Sequence, residues 1–229
     1  MHRGVDYAIF HKSVFHKESV VEQTDRLKWI TSSRDKEELT EKYDNWAKDY
    51  DAELQRDFQY TGPQRTAEFL ARYVAREAKI LDAGAGTGLV GEILAKMGYQ
   101  NLVAMDLSEG MLAEARKKNV YREFHWMAMG EPLDFATDSF DAVVSTGVLT
   151  VAHAPASSLD ELIRVTKPGG YIAFTLRPDV YEGCGFKEKQ AALEAEGKWK
   201  LAEVSERFQA LPRGEPDLYH YVYVYQVTC

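Results

Sequence analysis

Chemistry is most concentrated in one glycine-rich stretch, Ile80-Leu81-Asp82-Ala83-Gly84-Ala85-Gly86-Thr87-Gly88. It lies between an apolar run and an amphipathic segment, so it reads as a turn from a strand into a helix. Glycines there permit a tight turn and let a ligand approach bare backbone. Asp106 stands 18 residues beyond Gly88, at the end of the next apolar run. A carboxylate at that strand end accepts hydrogen bonds from both hydroxyls of a ribose. Each feature also has a plainer explanation. A strand–helix turn needs such glycines without any ligand, and Asp106, two residues before Ser108, suits the positive end of a helix. The offset between the two features favours a nucleoside-bearing ligand. A dinucleotide fingerprint wants a third Gly or Ala where this chain has Leu89, whose side chain crowds the close helix–strand approach.

Further candidates surround this pair. Tyr43, Trp46 and Tyr50 fall on one helical stripe with Ala47; aromatic faces attract cations, and the same stripe also suits packing on a sheet. His153 lies in Thr150-Val151-Ala152-His153-Ala154-Pro155, a loop after an apolar strand, and is the candidate catalytic residue. No Asp is spaced to hold its imidazole, so alignment of reactants is expected to outweigh base catalysis. Arg177 suits an anionic acceptor or a solvated strand end. Tyr219, Tyr221, Tyr223 and Tyr225 alternate at strand period, and two buried faces explain them better than an aromatic cage. The six histidines and two cysteines show no metal-ligand spacing, so no metal is expected, and Gly-x-Ser-x-Gly is absent.

The elements that must position these groups follow from hydrophobic rhythm. Lys36 to Arg56 is helical, Thr61-Gly62-Pro63 breaks it like a hinge, and a second helix carries Phe69, Leu70, Tyr73 and Val74. Strands are expected at Lys79–Ala83, Leu102–Met105, Phe124–Met127, Phe140–Ser145 and Tyr171–Leu176, with helices between. One helix runs from the cap Ser108 to about Lys118, and another, through Leu159, Leu162, Ile163 and Thr166, ends at Pro168-Gly169-Gly170. A helix near 187–196 and strands near 200–211 and 219–227 close the chain. Such alternation predicts an α/β, doubly wound sheet covered on both faces, with its last strands antiparallel.

Composition bounds the rest. The chain has 229 residues, a net charge of −8 and 45% hydrophobic residues, enough for a full core. No apolar run nears the roughly 20 residues that span a bilayer, and no continuous signal-peptide core is present, so a cytoplasmic protein is expected. The acidic balance argues against nucleic acid and anionic membrane as partners.

The motifs ILDAGAGTG, AMDLSEGML, FDAVVSTGVL and KPGG resemble those of the class I S-adenosylmethionine-dependent methyltransferases, from about Leu39 to Val227. Within the class, GLVGEIL, DLSEGMLAEAR and VTKPGG look most similar to the methyltransferase-like branch. The resemblance implies a Rossmann-like seven-stranded sheet with a reversed last strand and an N-terminal helical lid. It implies S-adenosyl-L-methionine as cofactor and a methyl acceptor that is a small molecule, or alternatively a protein. Asp82 would organise the glycine loop, with backbone at Ala83, Gly84, Gly86 and Gly88 beside the methionine part. Asp106 would take the ribose, Leu107 and Met111 the adenine, and backbone at Ser145 and Thr146 the amino end. The family often has an Asp where this chain has Met129, so Met129, Gly130 or Glu131 would serve the adenine amino group. Residues 1–36 form an extension and 37–229 the domain, divided into helices 37–78, a cofactor half 79–177 and an acceptor half 178–229. A non-catalytic cofactor-binding module and a nicotinamide-dependent oxidoreductase are the competing readings.

Overall fold

The computed structural model describes residues 26–150 and 153–229. Most of the expected N-terminal extension, and Val151 and Ala152 in the loop after the fourth strand, lie outside the described residues.

Seven strands form one sheet: β1 Ile80–Ala83, β2 Leu102–Asp106, β3 Glu123–Trp126, β4 Phe140–Ser145, β5 Thr166–Leu176, β6 Trp199–Val204 and β7 Tyr221–Val227. Their order is β3-β2-β1-β4-β5-β7-β6. β1 to β5 pair in parallel, while β7 runs antiparallel to both β5 and β6. The order reverses between β1 and β4, and ligands of such sheets bind outside the strand ends at that reversal.

Helices cover both faces because strand residues point alternately to each side. Leu81, Val103, Val143, Ile172 and Phe174 pack with α5 (Ser158–Val165), α6 (Pro178–Gly183) and α7 (Phe186–Ala195). Ile80, Leu102, Ala104, Ala142 and Val144 face the other way, onto α2 (Gly62–Leu70), α3 (Leu89–Lys96) and α4 (Glu109–Lys117). A third cluster belongs to α1 (Lys36–Glu53) and the π-helical turn Leu54–Phe58, where Leu39, Trp46, Leu54 and Phe58 pack with Ile30. The doubly wound, reversed-end sheet is as its sequence predicts, and Ser108 caps α4 by accepting the Met111 N–H.

Several boundaries differ. α2 stops at Leu70, leaving Tyr73 and Val74 in the turn beyond it. α5 stops at Val165, and Thr166 begins β5 with its hydroxyl bonded back to Leu162 O, so Pro168-Gly169-Gly170 lies within β5. β6 ends at Val204 because the Ser205 hydroxyl, not a backbone carbonyl, accepts the Val222 N–H; the strand expected to reach 211 is reduced to one bridge, Phe208 to His220. α6 was not foreseen. Nor is Thr61 a free hinge: its N–H donates to Ala210 O and its hydroxyl to Gln209 O.

Candidate functional site

A cavity of about 260 Å³ opens at the sheet reversal. Its wall combines the loops after β1, β2, β3 and β4 with α1 and the segment before it. Gly84, Gly86, Asp106, Leu107, Met111, Met129, Thr146, Tyr43, Tyr50 and His153 are brought together there, with Ser33 to Lys36, Leu39, Met105, Met127 and Val148. Trp46, Asp82, Ala83, Gly88, Gly130, Glu131 and Ser145 stand off it.

The glycine loop is closed by its own backbone. The N–H groups of Gly84 and Ala85 both donate to Met105 O, and that of Gly88 to Ala85 O. The Gly86 N–H donates to Asp106 Oδ2 at 2.8 Å, and the Ser108 N–H to Asp106 Oδ1 at 2.9 Å. Burial pushes the Asp106 carboxyl up to about 6; these N–H groups pull the other way, and the nearby Asp44 carboxylate adds to the rise. At Gly84, with φ +83°, an added Cβ would lie 2.2 Å from Val148 Cγ2. At Gly86, with φ +55°, it would meet nothing within 4 Å and would jut into the cavity.

Asp82 lies beneath the loop. Its Oδ2 accepts the Tyr121 hydroxyl at 2.6 Å, and the same phenol oxygen accepts the Gly91 N–H at 3.1 Å. Burial raises the Asp82 carboxyl to about 7, opposed by the Tyr121 bond. A Cβ at Gly91 would come within 2.2 Å of the Tyr121 oxygen, so the glycine exists to admit that ring. Asp82 Oδ1 and Thr146 Oγ1 are buried without a protein partner. Ser145 is spent on structure, its hydroxyl donating to Ala83 O.

α1 forms part of the cavity wall and is fastened to the elements beside it. Asp44 Oδ1 accepts from Ser108 Oγ at 2.5 Å and from Gly110 N–H at 2.8 Å. Asp51 accepts from Thr87 and, at 2.6 Å, from Lys118. Lys36 pairs with Glu131, which lies on the adjoining cleft instead of the cavity. Tyr43 and Tyr50 face inward. Trp46 does not: successive residues rotate by about 100°, so Tyr43 and Tyr50 lie about 20° apart and Trp46 about 60° away. It is buried against Leu39 and Phe58 and donates to Glu53 Oε2 at 2.7 Å.

His153 is held at both nitrogens. Its Nε2 is 2.8 Å from the Tyr43 hydroxyl and its Nδ1 is 2.5 Å from Thr150 Oγ1. Burial lowers it to about 4, so the ring is neutral at physiological pH. The sequence search for an orienting Asp missed these two hydroxyls. Thr150, three residues earlier, was visible in principle; Tyr43, 110 residues away, was not. Tyr121, Asp44 and Asp51 were missed for the same reason.

The family described as Methyltransferase domain matches residues 81–174. Methyltransferase-like protein 27 of Homo sapiens is 34% identical over 166 residues, 69% of this chain and 66% of that protein. Demethylmenaquinone methyltransferase of Clavibacter sepedonicus is 45% identical over 97 residues, 41% of this chain and 39% of that protein. The matched region thus spans just under two thirds of the first relative and well under half of the second. Among solved structures, a TehB-like SAM-dependent methyltransferase from Corynebacterium glutamicum superposes with a TM-score of 0.60 at 21% identity, covering 81% of this chain and 98% of that one. Among the described residues, no helix is long and apolar enough to cross a membrane.

Proposed function

We infer that the chain belongs to the S-adenosylmethionine-dependent methyltransferases and, from that premise, that it transfers the methyl group to a small-molecule acceptor in the cavity beneath α1. The observation that carries this reading is the state of the glycine loop. Its N–H groups at Gly84, Ala85, Gly86 and Gly88 are consumed within the protein, and Asp51 places a carboxylate against Thr87. A pyrophosphate needs free N–H donors and repels a carboxylate, which disfavours a nicotinamide dinucleotide. A nucleoside without phosphates needs neither.

The residues present fit the cofactor. Asp106 keeps a lone pair on each oxygen for ribose hydroxyls after accepting Gly86 and Ser108. Leu107, Met111 and Met129 offer apolar surface to adenine. The unpartnered Thr146 hydroxyl and the bare backbone at Gly84 would receive the amino-acid end. The open space at Gly86 is room that a Cβ would fill. Tyr43 and Tyr50 present aromatic faces and hydroxyls toward a cation. When bound, S-adenosylmethionine supplies a methyl on positive sulfur, an electrophile that needs no metal to activate it. This chain then contributes alignment, worth roughly 7–11 kcal/mol in well-oriented reactions, with α1 as part of the cavity wall.

A small-molecule acceptor is supported by the name of the Clavibacter relative, which states demethylmenaquinone. The test is thermal unfolding. S-adenosylmethionine or S-adenosylhomocysteine at one hundred times its Kd is expected to stabilise the protein by about 2.7 kcal/mol, and NAD at matched concentration to leave it unchanged. Stabilisation by NAD alone would reverse the assignment.

A further inference from the structure

We propose that Tyr43, His153 and Thr150 form a proton-accepting relay, in which the Tyr43 hydroxyl touches an uncharged acceptor bearing a proton that must leave. The relay rests on the methyltransferase reading above.

Its geometry comes first. Tyr43 and His153 both line the cavity, and Thr150 stands behind the ring, 2.5 Å from Nδ1. A neutral imidazole carries one N–H, so one neighbouring hydroxyl must donate to it and the other must accept from it. A phenol is a stronger donor and weaker acceptor than an alkyl hydroxyl. The favoured arrangement therefore has Nδ1–H donating to Thr150 and the Tyr43 O–H donating to Nε2. Tyr43 then turns its oxygen lone pairs to the cavity, ready to accept.

The surroundings select the acceptor's charge. The two cations on the cavity wall, Arg34 and Lys36, are engaged by Glu38 and Glu131. The wall carboxylates Asp35 and Asp106 accept backbone N–H groups. Around His153 and Tyr43 stand Tyr50, Tyr60 and Asp106, with no cation among them. Among the described residues no free cation at this end neutralises an anionic acceptor, and the sulfonium already takes the Tyr43 and Tyr50 faces that an ammonium would need.

The proton balance closes within these groups. The acceptor's O–H or N–H bond breaks; its proton goes to Tyr43 Oη and Tyr43's own proton to His153 Nε2. The freed pair on the acceptor takes the methyl, and the C–S pair stays on sulfur. One positive charge moves from sulfur to imidazole, so the total in the cavity is unchanged. Burial opposes a charged imidazole in the ligand-free protein, and the loss of the sulfonium offsets that opposition at the moment of transfer.

The experiment is nitrogen-15 NMR of the histidines in the full chain, saturated with S-adenosylhomocysteine or with S-adenosylmethionine. At neutral pH His153 is expected as the Nδ1–H tautomer, mixed by Thr150→Val and restored by Thr150→Ser. On acidification it is expected to protonate at higher pH with S-adenosylhomocysteine than with the sulfonium ligand. Phenol, as a neutral probe at equal concentration, should perturb His153 more than benzylammonium or benzoate does. An Nε2–H tautomer, coincident titrations with both ligands demonstrably bound, or a stronger response to a charged probe would overturn the relay. If neither ligand moved any resonance of the chain, the methyltransferase reading itself would fail and take the relay with it.

Discussion

The two ends of the cavity are built on opposite terms. At the glycine-loop end the backbone is satisfied before any ligand arrives: Met105 O, Ala85 O and Asp106 take its N–H groups. At the Tyr43 end, Tyr43 and His153 are bonded to each other from separate elements with Thr150 behind the ring, which leaves the Tyr43 oxygen's lone pairs to the cavity. The first end is a finished mould whose shape survives without occupant. The second keeps polar groups in reserve for one. Pre-formed shape suits the part of a ligand that never changes, and reserve suits the part where bonds are exchanged.

Asp106 offers the hardest way to break that contrast, because it serves both as scaffold and as contact. Asp106→Ala is expected to weaken S-adenosylhomocysteine binding by about 2–3 kcal/mol, given roughly 1.5–3 kcal/mol for a hydrogen bond to a charged group. Calorimetry showing wild-type affinity would remove Asp106 from the site. The pH dependence sharpens the point. Only the ionised carboxylate accepts two hydroxyls freely, so affinity should fall as pH drops through about 6, and Asp106→Asn should flatten that fall. Stability of the ligand-free protein has the opposite sign for these carboxylates. Asp82 and Asp106, raised to about 7 and about 6, hold more protons folded than unfolded, so their contribution is present at low pH and lost as pH rises through that range. His153, lowered to about 4, works against them: its contribution is lost as pH falls from about 6.5 toward 4.

Gly91 tests the mould alone. Gly91→Ala drives a Cβ into the Tyr121 phenol and is expected to destabilise by about 1–3 kcal/mol in urea unfolding. Because Tyr121 holds Asp82, ligand affinity should fall with it. Unchanged stability would mean that the ring moves freely and the mould is softer than its bonds imply.

The smallest expected effects lie at the cover. Asp44→Ala removes a side chain that caps the first turn of α4, and a lost cap of this kind costs about 1 kcal/mol. Lys36→Ala, at a solvent-exposed ion pair, should cost between about 0 and 1 kcal/mol. Equal losses from the two in thermal unfolding would erase the distinction between a cap and a surface pair.

What the sequence disclosed follows the same division. Gly84, Gly86 and Asp106 were legible because a strand–turn–helix unit is local, its residues fixed by spacing alone. The sheet order and the reversed β7 follow from alternating elements and a short final connection. Tyr121 under Asp82, Asp44 on α4 and Tyr43 on His153 join residues 39, 64 and 110 positions apart, and no periodicity records such pairings. Trp46 shows the limit of a stripe: a face of about 60° is wide enough to send one aromatic inward and its neighbour into the core.

Asp44 joins the cover to the helix that carries Met111, on the cavity wall. Lifting α1 strips Ser108 and Gly110 of their shared acceptor at the moment the cavity opens. Were α1 to lift for ligand exchange, the lifetime of this contact would be a clock on departure. Variants that shorten the contact should exchange product faster and hold donor less long, raising the turnover ceiling while lowering occupancy at scarce donor.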